Sequence, residues 1–455
     1  YNKKMINRRK FLKTSLSSLA LLSLPKISLA QNNYDVVVIG AGSSGLAATS
    51  YLMAAGKSVL CIEAMNRKGG RCYTDNSIFG VPYDMGAHWL HQFSNNQIAK
   101  FGKKHKDKFN IYKDKEPLMI YDGKKKIMGM RVGSLYSKVE KKKWKKNGIP
   151  SKDEPFMNQI PEKWKKNKWF HSIHQLLGPC QPAVDFDDYT LNDSHTNGKH
   201  SGEGDGYVKE GYGTLLAYYR RDVPVKLKTV VNEIKWGGKG VQIETNQGTI
   251  SAKSCVVTAS VAVLNAGKIK FSPALPLEKY EAFDGIRLGT YNHITLQLKD
   301  DFYKEYKVKN DTYFVNRIEN TINGSPAGSC ATLKISGTNI SYFDVGGKFA
   351  QYLEAEGKDA SIDFVLNRLR STFGSKIDKY FIKAHVTAWG KNPFTLGSYS
   401  SAKPGKSHLR NKLRVPVANK LFFAGEATTG VFATCHGADL SGERAASQLI
   451  RLTGI

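Results

Sequence analysis

The clearest hydrophobic pattern lies near the N-terminus, where the apolar run Val36-Val-Val-Ile39 enters Gly40-Ala-Gly42-Ser-Ser-Gly45. Leu46, Ala47, Leu52 and Met53 follow as an apolar helical run, and Val59-Leu-Cys-Ile62 ends in Glu63. The order predicts strand, glycine turn, helix, strand. The first glycine permits the tight turn, the second lets a pyrophosphate approach the backbone, and Gly45 lets helix and strand pack closely. The helix start offers free N–H groups and a positive dipole to phosphate, and an acid at the second strand's end suits the ribose hydroxyls of an adenosine. An ordinary glycine-rich turn would account for the glycines but not for the strand, helix and acid placed around them.

Farther along the pattern changes twice. From about residue 95 to 200, lysine runs such as Lys103-Lys-His-Lys106, Lys124-Lys-Lys126 and Lys163-Trp-Lys-Lys166 alternate with aromatics, which predicts a mostly helical insertion on the substrate side. From Val225 onward, alternating stretches at Thr229–Trp236 and Gly240–Gly248, then Cys255–Ala259, predict an antiparallel meander followed by a buried strand. Leu288–Leu298 is a further strand candidate, and Leu421-Phe-Phe423 leads through Gly425-Glu426 to a helix opening near Thr434. The segments group as 31–94, 204–280 and 385–455 in a cofactor domain, and 95–203 and 281–384 in a substrate domain.

Composition places the chain among globular proteins: 455 residues, 41% hydrophobic and 24% charged, enough for two or three domains with real cores. The formal charge of +29 favours anionic surfaces, although lysines on solvated faces are the plainer explanation. No zinc-finger or RNA-binding signature supports a nucleic-acid partner. Six cysteines, at 61, 72, 180, 255, 330 and 435, lack metal-ligand spacing, so mostly free thiols and no metal are expected. Asn7-Arg-Arg-Lys-Phe-Leu-Lys13, the apolar stretch Leu16–Leu24 and Ile27-Ser-Leu-Ala30 read as a twin-arginine-type signal peptide over 1–30. That predicts an exported, periplasmic or secreted protein carrying its cofactor across already folded. A membrane-anchoring helix is the competing reading, but the apolar part is short for a bilayer, and no later segment reaches spanning length.

Further ordered motifs narrow the chemistry. Gly69-Gly70-Arg71 can lie along a diphosphate and neutralise it. In Tyr83-Asp-Met-Gly86-Ala87-His88-Trp89, a glycine and a small residue let the backbone lie against a flat ring. With Trp389-Gly-Lys-Asn-Pro393, Gly397-Ser398-Tyr399-Ser400, Phe423-Ala-Gly425-Glu426-Ala-Thr428 and Ala433-Thr434-Cys435-His436-Gly437, the set resembles flavin-dependent amine oxidases. The C-terminal motif is most similar to that of polyamine oxidases and flavin histone demethylases.

The resemblance implies an α/β chain: an FAD-binding Rossmann domain of the glutathione-reductase type with a β-meander, plus a mixed α+β substrate domain. It implies that FAD is held by Gly40, Gly42, Gly45, Glu63, Gly70, Arg71, Gly86, Ala87, His88, Trp89, Val231, Trp389, Gly425, Glu426, Thr434 and Cys435. Val231 would meet the adenine through its backbone, Glu426 the ribityl and diphosphate region, and the helix near Thr434 the flavin N1–C2=O edge. Tyr399 would present its ring to the amine, and Thr434 stands where monoamine oxidases carry a second tyrosine. Family members that tether the flavin do so through a cysteine at the position of Ser398, so FAD is expected to be non-covalent.

His293 departs from the family, which places a lysine there that holds a water at flavin N5. It is either a titratable group near N5 or a strand histidine without a chemical role. The implied reaction is oxidative deamination of a small-molecule amine, by hydride transfer from the α-carbon to N5 and hydrolysis of the imine. Electrons would go to oxygen or to another periplasmic acceptor such as a cytochrome or quinone. An L-amino-acid oxidase of the same fold, or a flavin-carrying polyanion-binding protein with little turnover, are the alternatives.

Overall fold

The computed structural model describes residues 34–143, 152–200 and 204–455. The signal-like segment 1–30 lies outside the described residues. Two principal sheets organise the chain, one built around the opening βαβ unit and the other around Tyr291–Leu298.

In the first sheet, β1 (Tyr34–Ile39) pairs in parallel with β2 (Val59–Ile62) on one side and with β3 (Gly248–Val257) on the other. A central parallel strand is covered on both faces, which explains the unbroken apolar run. Val37 and Ile39 point into one core, while Val36 and Val38 point into another shared with Leu46, Leu52 and Leu449. The predicted meander is present: Val231–Lys235, Val241–Thr245 and β3 pair antiparallel in sequence. Leu421–Phe423 adds in parallel to β3. Helix α1 (Ser43–Ala54) covers the sheet and is covered in turn by the C-terminal helix α2 (Cys435–Thr453). The two helices approach so closely that a Cβ on Gly442 would stand 2.0 Å from the Ser44 carbonyl oxygen.

The second sheet has seven strands, with β4 (Tyr291–Leu298) between Phe381–Val386 and β5 (Ile340–Gly346). Alternation sorts its residues. Ile294, Leu296, Leu298, Phe343 and Val345 join the core that also contains Phe349 and Leu369 from the helices Gly347–Glu356 and Lys358–Phe373. His293, Thr295, Tyr342 and Asp344 occupy the opposite face.

The lysine-rich insertion is mostly helical, as expected, but it also holds strands. Alongside helices Met130–Lys143, Phe170–Leu177 and Leu191–His200 it contributes strands Ile111–Lys113, Leu118–Asp122 and Lys125–Ile127. The last two form a hairpin through Gly123, at φ +60°, and Leu118–Asp122 extends the second sheet in parallel with Thr312–Asn316. The cysteines are mostly free, as expected. Cys61, Cys72, Cys255 and Cys435 are free, but Cys180 and Cys330 form a disulfide that ties the insertion to the sheet. Among the described residues no helix is long and apolar enough to cross a membrane.

Candidate active site

The glycine turn behaves as its spacing requires. Gly40 has φ +101°, open only to glycine, and a Cβ on Gly45 would sit 1.8 Å from the Gly40 carbonyl oxygen. At Gly42, by contrast, nothing of the protein comes within 4 Å of an added Cβ, so the backbone there is accessible to a phosphate. Gly42 is the N-cap of α1 and no side chain caps it, which leaves the first N–H groups for a ligand. Gly69 donates to the Ala41 carbonyl and Gly70 packs on Gly42, so the second glycine pair lies along the first.

Glu63 ends β2 buried, where burial raises its pKa; its carboxylate accepts from Ala41 N at 2.6 Å and Met65 N at 2.9 Å. Each oxygen keeps a lone pair for ribose hydroxyls. Thr229 N bonds the Glu63 carbonyl, which brings Val231 to this end of the site.

A second helix start converges on the same place. Ser43 Oγ donates to the Cys435 carbonyl at 3.0 Å, which ties the N-termini of α1 and α2 together. Thr434 caps α2: its hydroxyl accepts from Gly437 N at 3.0 Å and donates to the Val431 carbonyl at 2.7 Å. Its hydroxyl is thus engaged at the cap on both sides. Ala433, next to it, is held at φ +63°, a conformation that costs a non-glycine residue about 1–3 kcal/mol and that clusters at functional sites.

Arg71, Gly86 and Trp389 come together at the cradle. A Cβ on Gly86 would lie 2.1 Å from the Arg71 carbonyl oxygen and 3.1 Å from the Trp389 ring, and Ala87 N donates to that same carbonyl. Trp389 is fixed by its indole N–H on the Met85 carbonyl, Trp89 by its indole N–H on the Tyr207 hydroxyl. Arg71 bonds the Ser398 carbonyl and the Glu426 carboxylate. Glu426 follows Gly425, at φ +129°, and also accepts from Ser400 Oγ, Ser400 N and Ala433 N. Burial opposes ionisation of Glu426, but Arg71, these donors and Arg410 outweigh it and hold the carboxyl below its ordinary range. Its strongest partners therefore belong to the protein.

The substrate side is aromatic. The Tyr399 ring centroid is 5.7 Å from that of Tyr291, which is 5.7 Å from that of His293, and His293 stacks on Tyr342 at 4.9 Å. Burial pushes the Tyr399 hydroxyl pKa up, so it stays neutral. His293 is buried with both nitrogens engaged: Nδ1 on Asp344 Oδ1, Nε2 on the Gly86 carbonyl at 2.9 Å. Burial alone would discharge it, yet Asp344 and the Gly86 carbonyl hold its pKa above the ordinary value. His88 contacts the same carbonyl through Nδ1 at 3.3 Å, while its Nε2 has no partner. Burial, reinforced by His293, pushes His88 down to about 3, so it is neutral.

Two features escaped the sequence. Asp344, the lone acid in Ile340-Ser-Tyr-Phe-Asp-Val345, was findable as a charge in an otherwise apolar strand. Asp193 and Arg410 form a buried bidentate pair, 3.1 and 2.6 Å, that also bonds Ser400 Oγ, and no local signal announces it.

Two converging helix starts, a glycine cradle and an aromatic chamber on an adjoining sheet define a two-domain flavoprotein site, and the residues present fit FAD. The family model "Flavin containing amine oxidoreductase" matches residues 175–450, and a NAD(P)-binding Rossmann-like model matches 38–104. The chain belongs to this family of FAD-dependent amine oxidoreductases. It is 29% identical to Polyamine oxidase 4 of Oryza sativa subsp. japonica over 91% of this chain and 88% of that one. It is 25% identical to Lysine-specific histone demethylase 1 homolog 2 of Arabidopsis thaliana, over 92% of this chain and 58% of that protein. Among solved structures, cyclohexylamine oxidase from Brevibacterium oxydans superposes with a TM-score of 0.74 at 19% identity, covering 93% of this chain and 100% of that one. Putrescine oxidase bound to putrescine gives 0.73 at 17%, covering 92% and 99%.

Proposed function

We propose that the chain oxidises a small cationic amine to an imine that water hydrolyses, using dissociable FAD. The observation that carries this reading is the joining of Arg71, Gly86 and Trp389, which sets the aromatic chamber of Tyr399 and Tyr291 against the cofactor cradle. When bound, the flavin supplies the two-electron acceptance, and the chain supplies orientation, dryness and charge. Gly42 and the starts of α1 and α2 would hold its phosphates and ring edge, with Glu63 at the ribose. Tyr399 offers a ring face to the amine and excludes water. Non-covalent binding is supported at Ser398, whose hydroxyl accepts from Tyr291 N and donates to the Tyr291 carbonyl, both at 2.7 Å.

A cationic substrate must enter a strongly basic protein, and local acids favour it. Beyond Trp89 and Tyr207, Tyr313 bonds Asp114 and Tyr112 bonds Asp311. Burial raises the pKa of Glu116 most, and the further rise from Asp114, Asp205 and Glu140 comes from neighbouring negative charge, against Lys113. The polyamine oxidase and putrescine oxidase relatives support the same substrate class. For an amino-acid oxidase a free arginine is needed, whereas Arg71 is paired with Glu426 and Arg410 with Asp193. Export is supported by the twin-arginine-like start and by the Cys180–Cys330 disulfide, which suits an oxidising compartment. The acceptor is then oxygen or a periplasmic carrier.

Anaerobic mixing of the FAD-loaded protein with a panel of monoamines, diamines, polyamines and amino acids tests this. Flavin bleaching with amines is expected; no bleaching by any of them would overturn the enzymatic reading in favour of a flavin-carrying protein. Reoxidation by oxygen against a soluble one-electron acceptor assigns the acceptor. Cell fractionation of the full chain with and without Arg8→Lys and Arg9→Lys tests export.

A further inference from the structure

Two imidazoles meet at the Gly86 carbonyl, and they cannot be in the same state. A neutral imidazole has one N–H and one lone pair. At His293 both ring nitrogens face acceptors, the Gly86 carbonyl at 2.9 Å and Asp344 Oδ1. With Asp344 as a carboxylate, either neutral form would aim a lone pair at an acceptor oxygen inside a dry interior, for His293 and Asp344 are each 1% exposed. Doubly protonated, the ring satisfies both. His88 has a single acceptor, Gly86, and its Nε2 is bare, which a neutral ring satisfies.

The pairing is built into the sheet. His293 on β4 lies directly across from Asp344 on β5, and Asp344 in turn lies across from Cys330, which is bonded to Cys180. On its other side the His293 backbone is fixed by two bonds to Thr387, to Oγ1 at 2.8 Å and from N at 3.0 Å. The ring therefore has little freedom to leave either acceptor.

We propose that His293 is a fixed imidazolium that positions the Gly86–Trp89 backbone against the sheet and sets one permanent positive charge on the sheet's site-facing side. It is a positioning residue, since neither nitrogen can exchange a proton without losing a bond. The other groups facing it are Asp84 and His88 from the Gly86 segment, His385 from Phe381–Val386, and Tyr342 and Tyr291 from the sheet. Asp84 adds a second negative field that favours the charge, while His88 and His385 oppose it. The free Oδ2 of Asp344 and the Tyr291 hydroxyl, which faces it without completing a hydrogen bond, stay available on this side. The purpose of the charge rests on the amine-oxidising reading; the protonation state is a property of the chain itself.

Histidine-selective ¹⁵N labelling of the FAD-loaded protein, followed from about pH 6 to pH 9, tests it. One ring is expected to remain protonated on both nitrogens throughout in the wild type, to vanish in His293→Gln, and to titrate within that range in Asp344→Asn. A wild-type His293 in either neutral form at pH 7 would overturn the inference. The flavin midpoint potential gives a second readout. His293→Gln should lower it by at least the equivalent of tenfold in the two-electron equilibrium, about 30 mV, and an unchanged potential would sink the charge. If His293→Gln fails to fold, Asp344→Asn, nearly isosteric, should bind FAD and acquire a pH-dependent flavin spectrum absent from the wild type. A flat profile there counts against the proposal. Absence of amine turnover with these signatures intact would instead strike the proposed function alone.

Discussion

Arg71 Nη1 reaches Glu426 Oε1 at 3.1 Å across 355 residues of chain, and through that contact the diphosphate loop is joined to the turn before α2. Because Glu426 is buried, removing Arg71 leaves a carboxylate hydrogen-bonded only by neutral donors, with Arg410 acting on it from beyond Ser400. Arg71→Gln should cost about 1–3 kcal/mol, at the lower end because the guanidinium is partly exposed. Thermal unfolding of the apoprotein and FAD titration would read this. The sign with pH follows from the lowered pKa. The stabilisation by Glu426 is complete above its ordinary 4.5 and is lost as pH falls through the folded value. The variant should therefore lose less stability on acidification than the wild type.

Gly42 and Gly45 separate folding from cofactor binding. Gly45→Ala puts a Cβ against the Gly40 carbonyl, and with backbone on both sides it should cost at least the 1–3 kcal/mol of an overpacked core. Gly42→Ala meets nothing in the protein. Its apoprotein should melt with the wild type while its FAD affinity drops, which fluorescence titration would detect.

Asp193→Ala strands Arg410, whose other neighbours are Ser400, the Ala427 carbonyl and the Phe432 ring at 3.6 Å. Both charges are buried, so a loss of about 3–5 kcal/mol is expected in denaturant unfolding. A change under about 1 kcal/mol would mean that Arg410 finds water or another partner.

The Cys180–Cys330 bond closes a loop of 150 residues. Thiol titration of the unfolded, unreduced protein should count the four free cysteines, and six after reduction. The double serine variant should lose about 2–5 kcal/mol.

His293 gives the opposite pH trend to Glu426. Its raised folded pKa means stabilisation that is fully present below its ordinary 6.5 and is lost as pH rises through the folded value. Melting temperatures should fall toward alkaline pH in the wild type and more shallowly in His293→Gln.

What could be read in advance follows the range of the forces. The glycine turn is legible because its constraints act within a few residues: Gly40 needs its φ, Gly45 its missing Cβ, and Val36–Ile39 a cover on each face. The meander is legible for the same reason, its strands being consecutive. The strand Leu118–Asp122 hid among lysines, although Asp122-Gly123 between short apolar-bearing runs is a hairpin signal that deserved more weight than the charge. His293 could be noticed as an oddity, but its state depends on Asp344 and Gly86, brought to it only by sheet register and domain contact. Motif position places Thr434 at the helix start, but the hydroxyl's two bonds, to Gly437 N and the Val431 carbonyl, come from a cap geometry that the motif does not spell out. Asp193 and Arg410 are 217 residues apart, with nothing local to mark either.

Helix α2 begins 392 residues after Ser43, yet it covers α1, with Gly442 seated on Ser44 and the Cys435 carbonyl accepting from Ser43. A ribosome delivers β1, α1 and β2 long before their cover exists. Any growing chain that has not released Thr453 carries this βαβ unit with one apolar side bare, so the dinucleotide cradle is begun early and covered much later. Cofactor capture thus waits for α2, and a chain lacking that helix would leave α1 uncovered.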